Sequence, residues 1–109
     1  VGYADLDTLR KTGNNAALWI LVDFEKPPFD GNNLRYLSLK MHNEYDCERA
    51  QFRVLSMTSY SEKMARGEQR YKSDEAGEWE SISPKTIQKK LWEVACGKRY
   101  GIKTNKNLN

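Results

Sequence analysis

Ser83-Pro84-Lys85-Thr86-Ile87-Gln88-Lys89-Lys90-Leu91-Trp92-Glu93-Val94-Ala95-Cys96-Gly97 reads as the clearest helix of the chain, and it ends on one of only two cysteines. Ser83 suits the N-cap, where a side-chain oxygen accepts an early backbone N–H. Pro84 suits the first helical position, where its missing N–H costs nothing. Gly97 suits the left-handed residue just past the end. Ile87, Leu91 and Val94 fall on one stripe with Ala95 beside it, while Lys85, Lys89 and Lys90 lie opposite. About fourteen residues of helix are marginal alone in water, so this one is predicted to dock. What precedes it is strand-like. The reading is therefore a sheet with a single helix across one face, where a disulfide from Cys96 back to Cys47 would hold it.

The strands come from period-two patterning and turn signals. Residues 3–11 alternate loosely, with a break near Asp7, and end at Thr12-Gly13-Asn14-Asn15. Residues 17–25 place Leu18, Ile20, Val22 and Phe24 on one face and Trp19 and Leu21 on the other, the signature of a central strand covered on both sides. Pro27-Pro28 and Asp30-Gly31-Asn32-Asn33 stop and turn the chain. Residues 34–43 set Leu37, Leu39 and Met41 against Tyr36, Ser38, Lys40 and His42, and residues 44–47 read as a bend or strand end. Residues 49–60 form another strand whose pattern slips beyond Val54, the mark of a bulge near Leu55. Residues 68–72, poor in apolar side chains, fit a charged edge strand. Trp79 and Ile82 belong to a short extended piece. Consecutive strands with short connections favour an antiparallel meander, and the fold class is α+β with about five to six strands and one C-terminal helix.

At 109 residues the chain holds one domain, expected over residues 1–97, followed by a basic, flexible tail over 98–109. Apolar residues make up 39% and charged residues 30%, which places it among ordinary globular chains. No apolar run approaches the ~18 residues needed to span a bilayer. The sequence opens without Met, a basic n-region or an h-region, as expected after removal of a signal peptide or at a processing site. From Lys85 onward seven cations face one acid, Glu93, giving +6 within a total of +3. That asymmetry fits either an anionic partner or plain solubility.

Two cysteines outside any CxxC pair, with His42 as the one histidine, do not make a structural zinc site, and no cofactor is implied. Two reduced, buried thiols are one alternative. Pairing is favoured because Cys47 follows a strand and Cys96 ends a helix. Closing such a loop stabilises by ~4 kcal/mol and places the chain in the periplasm, at the cell surface or in secretion.

Candidate functional residues are sparse. His42, with Tyr36 on the same strand face, is the candidate ligand set for a small molecule, metal or haem. No GxSxG supports a Ser/His/Asp hydrolase, so the chain reads as non-enzymatic. Asp5/Asp7 and Glu78/Glu80 read as solvated charge rather than an acid/base pair. Arg35, Arg49, Arg53 and Arg70 with Tyr36, Tyr60 and Tyr71 could form a basic-aromatic face. Cross-strand Arg/aromatic packing explains them more simply, and no nucleic-acid signature accompanies them. Trp19 and Leu21 need cover if the helix takes the other face. They are the candidate self-association surface of a homodimer, unless Trp19 is simply core.

The spacing Trp19…Cys47…Arg53…Tyr60…Gly67…Trp79…Pro84…Cys96-Gly97, closed by Trp79-Glu80-Ser81-Ile82-Ser83-Pro84-Lys85-Thr86, resembles the surface-adhesin protein E family of Gram-negative bacteria. The resemblance implies a curved antiparallel sheet with the helix on its concave side and a disulfide at Cys47 and Cys96. It also implies export and dimerisation. The function it implies is adhesion without catalysis, to a protein or polysaccharide partner such as extracellular matrix. The alternative is a periplasmic small-ligand or haem-binding protein using His42. The stretch 98–106 is not part of the family pattern.

Overall fold

The computed structural model of the chain describes residues 2–26 and 36–97. The expected turn around residues 27–33, Arg35 and the basic tail over 98–109 lie outside them. Six strands and one helix follow in order: β1 (Gly2–Thr12), β2 (Asn15–Asp23), β3 (Ser38–Asp46), β4 (Gln51–Glu62), β5 (Arg66–Ser73), β6 (Glu80–Ser81) and α1 (Ile87–Ala95). All pairings are antiparallel in the order β1-β2-β3-β4-β5, the expected meander. β5 pairs β4 from Met57 to Glu62, and β6 takes the same edge further along, at Gln51 and Phe52.

Two irregularities aim the side chains. In β1 the register shifts between Asp5 and Arg10, where the break was expected. Strict alternation would send Leu6 and Leu9 to opposite faces, yet both pack against the core. The Thr8 hydroxyl fills the gap, donating to the Asp5 carbonyl at 2.6 Å and accepting the Trp19 N–H at 2.9 Å. In β4 the extra residue is Leu55. His42 pairs with Ser56 and Asn43 with Val54, so Met57 returns to the face of Met41.

The core is Ala4, Ala16, Leu18, Ile20, Tyr45, Leu91, Val94 and Ala95. Small residues in β1 and β2 let the helix approach closely. A Cβ on Gly2 would stand 2.8 Å from Ile87 Cδ1, so a larger residue there would push the Ile87 side chain aside. Leu91 and Ala95 are fully buried and Val94 nearly so, as the apolar stripe requires.

The helix begins three residues later than Ser83 and Pro84 suggested. Lys85 has φ 63°, a left-handed residue that a right-handed helix cannot include. Thr86 is the N-cap, its Oγ1 accepting the Lys89 N–H at 3.3 Å while donating to the Ser83 carbonyl at 2.7 Å. Gly97 closes the helix at φ 70°, as expected.

Cys47 and Cys96 form the disulfide, with Cα atoms 5.5 Å apart. The neighbouring backbone is fixed from several sides. The Cys47 N–H donates to the Asn14 carbonyl at 2.8 Å. Trp92 Nε1 donates to the Asp46 carbonyl at 2.9 Å, and Asp46 Oδ1 accepts the N–H groups of Glu48 and Arg49. Residues 44–46 are strand rather than bend, and Tyr45 is wholly buried. Its hydroxyl accepts from Asn43 Nδ2 at 3.1 Å and donates to Gln88 Oε1 at 2.8 Å, joining β3 to the helix. Burial pushes the Tyr45 phenol well above its ordinary range, so it remains a donor at any physiological pH.

The open sheet face as candidate binding site

With α1 on one side, the chemistry of interest lies on the other. The register sets Asp5 beside Trp19, Trp19 beside His42, and Tyr3, Leu21 and Lys40 in the next row. These residues share the helix-free face because they alternate with the core positions Ala4, Ile20 and Met41. Trp19 and His42 stack with ring centroids 4.7 Å apart and planes 7° from parallel. Lys40 Nζ lies 5.2 Å from the indole centroid. Further along the face, Arg53 Nε meets Glu44 Oε1 at 2.7 Å, and the guanidinium lies 4.8 Å from the Trp79 ring. Asn15 Nδ2 donates to the other Glu44 oxygen at 3.0 Å.

The β4–β5 turn forms one wall of this face. Met64 and Ala65, at φ 59° and 57°, occupy left-handed positions that Asn and Gly normally take in hairpin turns. Each costs about 1–2 kcal/mol. Two side chains offset the strain by capturing the turn's N–H groups. Asp23 Oδ1 accepts from Met64 at 2.8 Å and Ser38 Oγ accepts from Ala65 at 3.0 Å. Ser38 read as part of a polar face, but it is fully buried here, its Oγ donating to the Glu62 carbonyl at 2.6 Å. Between this turn, β1 and the sheet lies a groove of about 360 Å3, bounded by Tyr3, Asp5, Trp19, Leu21, Lys40 and Met64. Met64 stays 47% exposed, whereas Trp19 and Leu21 are only half-buried. Ala65 lines the groove beside Met64, while His42 reaches it only through its stack on Trp19.

The sequence-derived candidates separate. His42 does not border the groove, and Tyr36 packs edge-on against Phe24 at 5.7 Å. Six residues of extended chain set the two about 20 Å apart. Among the described residues no three His, Cys, Asp or Glu side chains gather as a metal site. Asp7 N–H is tied to Asp5 Oδ1 at 3.1 Å, and Glu78 and Glu80 are exposed. The Arg/Tyr set does not assemble either. Arg70 pairs with Glu68 on β5, Arg49 lies in the turn after Cys47, and Arg53 stacks on Trp79 rather than a tyrosine. Trp19 and Leu21 do share the groove. Sequence reading missed Met64 and Asp5 as groove residues, because which strand end the turn leans over is not written in either strand's periodicity.

Burial against the indole lowers the His42 pKa, and the Glu44 carboxylate raises it by less. Trp19 stacks on the ring, Ser56 is its neighbour on β4, and Glu44 is the charged group that acts on it. The unfolded chain therefore binds a proton more readily than the folded one. Stability should fall as pH drops below about 6.5, until the folded ring itself protonates. The C2–H resonance of His42 should titrate with a midpoint below the ordinary imidazole value, and His42→Gln should flatten the stability profile between about pH 7 and 5. A midpoint above the ordinary value would contradict the packing.

A disulfide-tethered helix on one side of an open antiparallel sheet, with an aromatic-walled groove on the other, defines a class of small cystine-locked sheet domains. The chain belongs to the surface-adhesin protein E family, whose pattern it matches over residues 1–97. Crystal form II of Haemophilus influenzae protein E superposes with a TM-score of 0.68 at 14% identity, covering 89% of this chain and 80% of that one. The Se-Met form of the H. influenzae protein gives 0.66 at 13% identity, over 88% and 78%. Protein E from non-typeable H. influenzae gives 0.62 at 14% identity, over 88% and 69%. No curated protein matches the chain. At these identities the structural likeness concerns the fold.

Proposed function

We propose that this chain is an exported, non-catalytic adhesin-type domain that engages a protein or polysaccharide partner outside the cytosol through its helix-free sheet face. One observation carries the reading: the helix and disulfide commit one face to the core, while the other keeps an open groove with Met64 exposed at its lip. A methionine held in a strained turn is poorly placed for folding stability and well placed to meet a partner. The cystine supports export. Family membership supports adhesion, and a matrix component is the partner class that the sequence resemblance implies.

The test is binding of the oxidised chain to a panel of matrix proteins and polysaccharides. Met64→Glu alters the lip, and Lys90→Ala alters the outer side of α1. Binding should weaken about ten-fold in the first variant, equivalent to ~1.4 kcal/mol, and stay unchanged in the second. Equal binding by both variants, or no binding by the wild type, would overturn the reading. Self-association through Trp19 and Leu21 is the competing use of the same face. Sedimentation of wild type and Trp19→Asp should give the same monomer mass if the face is left for a partner. A dimer in the wild type alone would assign it to a second copy.

A further inference from the structure

The groove has a chemical character of its own. Its walls bring an indole, a phenol and the Leu21 side chain together with one carboxylate, Asp5, and one ammonium, Lys40. The opposite charges leave the site neutral, so an anionic ligand would meet Asp5 and a cationic one Lys40. A purely apolar side chain would use Trp19, Leu21 and Met64 but would cover Asp5 and Tyr3 without offering either a hydrogen bond. The compound that satisfies both halves has an apolar face and an edge of hydroxyls that donate and accept. Asp5 accepts from such an edge, Lys40 donates to it and Tyr3 does both. The volume, about 360 Å3, lies at the small end of ligand sites, and the groove is open rather than enclosed, so a chain can run on beyond it.

We propose that this groove is a saccharide subsite, in which a neutral pyranose unit lies with its C–H face against Trp19 and Leu21 and its hydroxyls on Asp5, Tyr3 and Lys40. The inference rests on the helix-free face being the binding face, and it names the chemistry recognised there. His42 stacks on the indole and steadies it upright. Asp5 Oδ1 accepts the Asp7 N–H, which holds the carboxylate in place at the groove wall. The turn at Met64 and Ala65 is fixed by Asp23 and Ser38 before any ligand arrives, so the site is preorganised.

The experiment is an amide and indole N–H titration of the oxidised chain by NMR, with cellobiose, N,N′-diacetylchitobiose and maltotriose as neutral probes. A heparin-derived sulfated disaccharide and a phenylalanine-containing tripeptide serve as comparison probes. At least one neutral sugar should saturate in the millimolar range, shifting the Trp19 indole and the amides of residues 3–5, 40 and 64–65. Asp5→Asn, which keeps side-chain size, and Lys40→Gln, which removes the ammonium, should each weaken it about ten-fold. The proposal is overturned if no neutral sugar gives a saturable shift, if the shifts survive unchanged in both variants, or if the sulfated disaccharide or the tripeptide binds the groove more tightly. If the sugars fail while Met64→Glu still weakens matrix binding, the saccharide assignment falls and the binding face stands. If both fail, both fall.

Discussion

Replacing Cys47 and Cys96 together by alanine is expected to destabilise the chain by ~4 kcal/mol and to loosen α1 far more than the sheet. The cross-link joins residues 49 apart, so cutting it returns a long loop's worth of freedom to the unfolded chain. Against the 5–15 kcal/mol typical of whole domains that is a large share. The local effect has a separate cause. α1 has nine residues, too few to persist in water on its own. With the disulfide intact, a helix that lifts off stays tethered beside its site and redocks at high effective concentration. Without it, the helix relies on contacts such as the Leu91–Ala95 patch, the Tyr45–Gln88 hydrogen bond and the Trp92–Asp46 hydrogen bond. Amide exchange over Ile87–Ala95 should therefore quicken far more than over Asn15–Asp23. Equal acceleration in both segments would mean that helix and sheet open as one unit.

The division into a committed face and an open face follows from where the glycine and alanines fall. Gly2, Ala4 and Ala16 lie under the helix, and bulky Tyr3, Trp19 and Leu21 alternate with them on the other side. Reversing that order would set the indole under the helix and leave alanine at the groove. The alternation of residues 17–25 was legible in the sequence for this reason, as were the bulge after Val54 and the break in β1. Each shows as a slip in a period-two pattern. The helix start was not, because Ser83-Pro84 carries the same signals as a genuine N-terminus and the left-handed Lys85 carries none. Tyr45 was missed as core because it follows Glu44 and precedes Asp46, which made the segment look like a polar bend. Its burial depends on a partner 43 residues away, Gln88. The groove depended on a similar long-range fact, the capture of the Met64 and Ala65 N–H groups by Asp23 and Ser38. Two residues of the candidate site, Trp19 and Leu21, were visible as apolar residues on the wrong face. The assembly of the rest is tertiary.

Leu91→Ala is the second change expected to act strongly, at about 3 kcal/mol within the usual 2–5 for a buried leucine. Leu91 is 1% exposed and belongs to the cluster with Ala4, Leu18, Ile20 and Tyr45. The spread in such costs reflects how far the surroundings can close around the cavity. Here they have little freedom. The helix is held at its end by the disulfide and at its first turn by Ile87 against Gly2, while the sheet beneath is set by backbone pairing on both sides of β2. For a domain of this size the loss corresponds to a fall in Tm of roughly 10–20 °C. Leu91 faces the opposite side of the sheet from the groove. Binding measured well below the lowered Tm should accordingly match the wild type, which separates this residue from Asp5, Lys40 and Met64. A fall of under about 4 °C would mean that Leu91 is not packed as described, and lost binding in a fully folded variant would mean that the two faces are not independent. Combining Leu91→Ala with removal of the disulfide gives the sharper reading. If the cross-link is what stops the helix settling into the cavity, the leucine should cost less once the cross-link is gone, and the two effects should sum to more than the double variant loses.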